Sequence, residues 1–184
     1  SDLKRFFLRR FILDHPDDKI IVFVRTRVRA ERVAKALERS QISALTLHGE
    51  KDQALRSQVL EDFKQGRTQI LIATDVSARG IDIPDISYVI NYDLPEKKEN
   101  YVHRVGRTGR GMKKGSAVSF CSTEEKPRLA DIQAFLNKPV ETISISRKDH
   151  AFVLSTARGE ESIQEMIREQ DAWEKKRKKK GKKA

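Results

Sequence analysis

"QILIATDVSARGIDIPDISYVINYDLP", residues 69–95, sets two short apolar runs on either side of a polar segment. "QILIAT" (69–74) and "ISYVINY" (86–92) are too short for helices and too continuously apolar for strands wetted on one face. They read as strands buried on both faces. Between them Thr74, Gly80 and Asp82 form a polar cluster that begins where the first strand ends.

The same alternation extends in both directions. "KIIVFV" (19–24) is another buried strand, followed by a helical stripe of Val28, Val33, Ala36 and Leu37 within 28–40. "SALTLHG" (43–49) reads as a strand, and Leu55, Val59, Leu60 and Phe63 mark a helix over 52–66 with Gly66 at its C-cap. Downstream lie a short helix (99–107), a strand (116–121), a helix (125–137) and a closing strand-like run, "VETISIS" (140–146). Strand and helix in strict alternation imply right-handed βαβ units. The chain is therefore α/β over 1–146, a mostly parallel sheet with helices on both faces. Ligands of such folds gather at the carboxyl ends of the strands. Thr26, His48–Gly49, Thr74–Asp82 and Tyr92–Asp93 all follow a strand directly.

Of 184 residues, 38% are apolar and 35% charged, enough for a core beneath an ionic surface. The net charge of +11 is concentrated at the end, where "KKRKKKGKKA" (175–184) carries eight positive charges and no acid. Without it, 30 basic residues face 27 acidic ones, leaving +3. Residues 147–184 read as a basic extension, partly helical or disordered, suited to sequence-independent contact with nucleic acid or to solubility alone. One cysteine, Cys121, excludes an internal disulfide and a multi-cysteine metal site. With no signal-like segment and no run of eighteen apolar residues, the chain is expected to be soluble and cytoplasmic, with no membrane partner. Beginning at Ser1 rather than Met, it reads as a fragment, and the fragment is expected to be monomeric.

No G-x-x-x-x-G-K-[ST] occurs, so the chain lacks a P-loop. "GRGMKKG" (109–115) misses the dinucleotide spacing by one residue and precedes a strand instead of following one. In "TDVSARGIDIP" (74–84), Thr74 can bond a phosphate, Gly80 permits close backbone approach and Asp82 can accept from a ribose hydroxyl. Alone, this segment is equally an ordinary polar turn. "HRVGRTGR" (103–110) is sharper: Arg104, Arg107 and Arg110 recur every third residue, an arrangement that calls for an anion between them. Guanidiniums on a rigid element can stabilise a phosphoryl group in flight. A surface arginine cluster is the plain alternative. Thr26 and Arg27, with Gln53 and Arg56 near a helix start, suit a phosphate backbone held without base reading. No spacing supports a metal site or acyl-transfer chemistry.

Taken in order, "IIVFVRT", "HGEKDQALR", "FKQGRTQILIATDVSARGIDIPDISYVINYDLP" and "ENYVHRVGRTGR" resemble the second, C-terminal RecA-like domain of DEAD-box ATP-dependent RNA helicases, over roughly residues 1–137. The resemblance implies a RecA-like sheet and half of an RNA-stimulated ATPase that is inactive alone. Arg107 and Arg110 would be catalytic arginine fingers on the γ-phosphate, and Gly80 and Asp82 would contact ATP. His103 and Arg104 would serve the contact with the first RecA-like domain of the same polypeptide. Thr26, Arg27, Gly49, Gln53, Arg56 and Thr74 would hold RNA phosphates without sequence preference. The glutamine motif, P-loop, D-E-A-D and S-A-T are missing here because the family carries them on the first domain, which would also hold Mg2+. A stand-alone RNA-binding adaptor and a DNA-helicase domain are the rival readings. The form "HRxGRTGR" and the pair Gln53, Arg56 disfavour the DNA-directed one.

Overall fold

A computed structural model of the chain describes residues 2–108 and 115–144. Residues Phe7–Glu141 form one compact unit, and residues 1–6 with 142–184 form a second, of which only 2–6 and 142–144 are described. The expected 147–184 extension, and with it the boundary at 146, lies outside the described residues.

The helices are α1 (Asp2–Asp14), α2 (Arg27–Arg39), α3 (Gln53–Lys64), α4 (Asp75–Ala78), α5 (Lys98–Val105) and α6 (Lys126–Leu136). The strands are β1 (Ile20–Phe23), β2 (Leu45–Leu47), β3 (Ile70–Ala73), β4 (Tyr88–Asn91) and β5 (Ser116–Ser119). All pair in parallel, in the order β2-β3-β1-β4-β5. This is the mostly parallel sheet that the alternation implied. The three inner strands, β3, β1 and β4, owe their apolar runs to burial on both faces.

The two faces separate by residue parity, because side chains alternate along a strand. Ile20, Val22 and Val24 of the β1 segment join Ile70, Ile72 and Ile90 against α1 and α2, through Leu8, Ile12, Ala30, Val33 and Leu37. Ile21, Phe23, Leu71, Ala73 and Val89 face the other way, against Val59 and Phe63 of α3 and against Ala78, Ile83 and Ile86. A right-handed crossover outward from β1 to β2 and crossovers in the opposite direction thereafter put the helices on opposite faces. A smaller cluster of Leu94, Tyr101 and Ile132 packs α5 on α6.

Local chemistry sets the ends. Thr26 caps α2 by accepting from the Arg29 amide at 3.2 Å, and Asp52 caps α3 from the Leu55 amide at 2.8 Å. Gly66, at φ +72, takes the left-handed turn after α3 that the sequence assigned to it. Three features differ from the sequence reading. β2 covers only three residues of 43–49. The described part of 140–146 forms no strand. α1 went unread, although Leu8 and Ile12 lie one turn apart on its inner face.

Phe63 is fully buried and joins α3 to the sheet. Replacing it with alanine is expected to lower unfolding free energy by about 3–5 kcal/mol, read from urea denaturation. A loss under about 1 kcal/mol would show that α3 is not part of the cooperative core.

Candidate functional site

The site lies along the carboxyl edge of the sheet. Backbone hydrogen bonds continue past the strand ends, from the Val24 amide to the Ala73 carbonyl (3.0 Å), Thr74 to Leu47 (3.3 Å) and Asp93 to Phe23 (3.3 Å). The loops that follow the strands are thereby held in register, and functional residues on them inherit the order of the sheet.

On the β2-β3-β1 side the structure gathers most of the residues expected to hold a polyanion. Thr26 and Arg27 open α2, Gly49 follows β2, and Gln53 and Arg56 sit in the first turn of α3. Arg27 is ion-paired with Glu50, which ties the first loop to the second. The Arg56 guanidinium reaches the Ser77 carbonyl of α4 at 3.4 Å and ties the second to the third. Thr26, Arg27, Gly49 and Gln53 are exposed. Two helix N-termini, with their unpaired N–H groups and positive dipole ends, thus stand side by side with cationic side chains. Thr74 departs from expectation. It is 9% exposed, and its hydroxyl lies 2.9 Å from the Ser77 hydroxyl. Here it organises the start of α4 and does not project outward.

A second cluster lies beside it. Gly80, at φ +75, turns the chain after α4 into Ile81 and the exposed Asp82. Arg107, just past α5, donates to the Ile81 carbonyl at 2.5 Å and to the His103 carbonyl at 3.2 Å. The finger candidate and the nucleotide-contact candidates therefore form one place. His103 is exposed on α5. Arg110 lies outside the described residues.

Arg104 is the largest side chain buried to this degree, 1% exposed. Its Nε and one terminal nitrogen donate to the two carboxylate oxygens of Asp75, at 2.5 and 2.9 Å. Its other terminal nitrogen donates to the Asn91 side-chain oxygen (3.1 Å) and the Asp93 carbonyl (2.7 Å). The guanidinium also lies 5.0 Å from the Phe23 ring centroid. A buried guanidinium is tolerable only when its donors are met and its charge is faced by a carboxylate. Within this domain the Arg104 guanidinium is enclosed and fixes the helix that carries His103, the residue expected to meet the first domain.

Sequence reasoning gave no role to the acids that make this edge possible. Asp75 holds Arg104. Asp93, nearly buried, accepts from the Arg25 amide (3.0 Å) and is ion-paired with Arg29, whose Nε lies 3.3 Å away. Glu125, also buried, takes Arg25 at 3.3 Å, the Leu94 amide at 3.2 Å and the Ser122 amide at 3.1 Å. The signal available for Asp75 and Asp93 was their position just after strands, where an unexplained arginine needs a partner; Glu125, in the turn before α6, carried no such signal. Among the described residues no three His, Cys, Asp or Glu are grouped to hold a metal ion, and no helix is long and apolar enough to cross a membrane.

Comparison with known proteins agrees with this geometry. The helicase conserved C-terminal domain matches residues 3–112, more than half of the chain, and the chain belongs to that family. Within it, this is a C-terminal RecA-like domain of the DEAD-box kind. It is 43% identical to the ATP-dependent RNA helicase DeaD of Buchnera aphidicola over 77% of this chain and 24% of that protein. It is 40% identical to CshA of Listeria monocytogenes over 82% of this chain and 29% of that one. The chain thus spans about a quarter of the length of these relatives. Among solved structures, the E. coli DEAD-box protein SrmB, bound to regulator of ribonuclease activity A, superposes with TM-score 0.72 at 36% identity, covering 79% of this chain and 86% of that one. S. cerevisiae Dbp5 bound to RNA and ADP BeF3 gives 0.71 at 32% identity, covering 86% and 42%.

Removing the buried guanidinium leaves Asp75 and Asn91 without their donor. Arg104→Ala is expected to cost about 3–5 kcal/mol of stability in urea denaturation. Arg104→Lys keeps the charge but not the planar fork, and should recover less than half of that loss. Full recovery by lysine would show that charge alone, not the bidentate geometry, holds α5.

Proposed function

We propose that this chain is the C-terminal half of the motor of an ATP-dependent DEAD-box RNA helicase, completing an ATP site whose larger part lies on a preceding RecA-like domain. The observation that carries the reading is the placement of Arg107 against Ile81, between Gly80 and Asp82. A cationic side chain at a helix end meets a turn whose positive-φ glycine has open space beside it. That is a fit for a phosphate-bearing ligand whose sugar reaches Asp82. Bound ATP supplies the phosphoryl group to be transferred, and the first domain holds its Mg2+. Arg107 and Arg110 then act as fingers, offering delocalised positive charge to the transferring phosphoryl group. His103, exposed on α5, meets the first domain.

RNA lies on the neighbouring strip. Thr26, Arg27, Gly49, Gln53 and Arg56 hold successive phosphates through amides, a hydroxyl and guanidiniums, so binding is independent of sequence. Thr74 acts there by setting α4. Residues 175–184 add affinity of the same unspecific kind through their eight positive charges.

The test uses the two-domain polypeptide and this chain in parallel. This chain alone should release no phosphate from ATP above blank. In the two-domain protein, Arg107→Ala and Arg110→Ala should each lower RNA-stimulated turnover by about 10³–10⁵ while RNA affinity changes little. A variant that retains more than roughly a tenth of wild-type turnover is not missing a finger.

The basic run is tested separately. With about five of its charges engaged on single-stranded RNA, the slope of log affinity against log salt is expected near −3 to −4. Deleting 175–184 should flatten that slope and weaken binding to every sequence alike. An unchanged slope would leave the folded surface as the whole binding site.

A further inference from the structure

Two rungs join α2 to the end of β2. One is the Arg27–Glu50 ion pair. The other is unlike a surface pair. Glu31, one turn beyond Arg27, accepts through a single oxygen from the Thr46 hydroxyl and from His48 Nε2, each at 2.8 Å. Thr46 and His48 are 7% and 8% exposed. Burial pushes the Glu31 carboxyl up, but hydrogen bonds from His48 and Thr46, with the charge of Lys51, outweigh it and hold the group below its ordinary value. An ionised carboxylate only accepts, so the proton of His48 sits on Nε2. Nδ1 is then a buried acceptor, and among the described residues it has no partner. An unmet buried polar atom is uncommon and calls for a reason.

The neighbouring backbone supplies one. The Leu47 carbonyl is taken by the Thr74 amide (3.3 Å) and lies 2.6 Å from the Ser77 hydroxyl, while the His48 carbonyl accepts from the Lys51 amide (3.2 Å). Residues 47 and 48 are thus fixed from both sides. Gly49 follows, exposed, and among the described residues no acceptor meets its N–H. Its φ is not positive, and nothing stands within 4 Å of where a Cβ would be. Neither backbone strain nor crowding in this domain demands glycine there. A ligand's close approach to the amide does.

We propose that Glu31 and His48 are positioning residues for RNA, setting the turn that offers the Gly49 amide to a phosphate. The inference rests on the RNA reading of this strip. It makes a prediction opposite in sign to electrostatics. Removing an acid beside a polyanion should tighten binding by charge alone. Removing this acid frees the His48 ring and loosens the turn, so binding weakens.

The isotope-labelled full chain is titrated with a short single-stranded RNA, and the Gly49 amide shift gives the dissociation constant at that turn, apart from the contribution of 175–184. Glu31→Ala is expected to weaken it about fivefold, the scale of one net hydrogen bond. Glu31→Gln keeps an acceptor for Thr46 and His48 without the charge, and should bind at least as tightly as wild type. Gly49→Ala should weaken binding too, and Glu31→Ala should add little to it. Thr46→Val, which removes one of the two donors, should give an intermediate loss and stands in if Glu31→Ala fails to fold. A Glu31→Ala chain that binds as tightly as wild type or tighter, with the Gly49 amide still responding, overturns the positioning role. A wild-type Gly49 amide that does not respond to RNA overturns the RNA reading of the strip, and this inference with it.

Discussion

The Arg104–Asp75 fork is the constraint on which the rest of the edge depends. α5 has only eight residues and packs on α6 through a small cluster, so its apolar contacts alone do not fix its rotation. A planar guanidinium bonded at four points to the ends of β3 and β4 does. Once Arg104 is seated, His103 must face outward and Arg107, three residues on, must lie toward the Gly80–Asp82 turn. One desolvated charge sets the direction of two candidate site residues.

The fold was legible because the three inner strands, β3, β1 and β4, are largely buried on both faces and spell apolar runs, as "IIVF" and "ILIA" do. Residue parity then sorted the two cores. α1 was missed because its buried apolar residues, Leu8 and Ile12, are separated by Arg9 and Arg10. β2 was over-read because Ser43 and Ala44 extend the pattern without pairing on β3. Of the candidate site, the loops after the strands could be found by position. The role of Arg104 could not, since its carboxylate lies 29 residues away and only the sheet brings them together. Thr74 shows a related ambiguity. A threonine after a strand can face a ligand or cap the next turn, and Ser77, three residues later, decides for the cap.

In open α/β sheets the crevice where crossovers change direction is the usual ligand site. Here that point lies between β1 and β4. It is occupied by the protein's own ion pairs, Arg29 on Asp93 and Arg25 on Glu125. Exposed pairs of this kind contribute little, but Asp93 and Glu125 are nearly buried and accept backbone amides as well, so the plug is firm. The functional edge is consequently divided, with one group of candidates over β2 and β3 and the other along α5.

What joins the two groups is covalent as well as electrostatic. Thr74 is turned toward Ser77, whose hydroxyl reaches the Leu47 carbonyl and whose own carbonyl receives Arg56. The next residue, Asp75, is turned toward Arg104. A single peptide bond therefore separates the anchor of the proposed RNA strip from the anchor of the proposed finger helix. Interiors packed this closely have few intermediate arrangements and transmit displacement instead of absorbing it. With no slack between Thr74 and Asp75, the strip and the finger keep a fixed spacing. Under the proposed function, that spacing would make RNA engagement and ATP engagement properties of one surface, coupled through the placement of the whole domain.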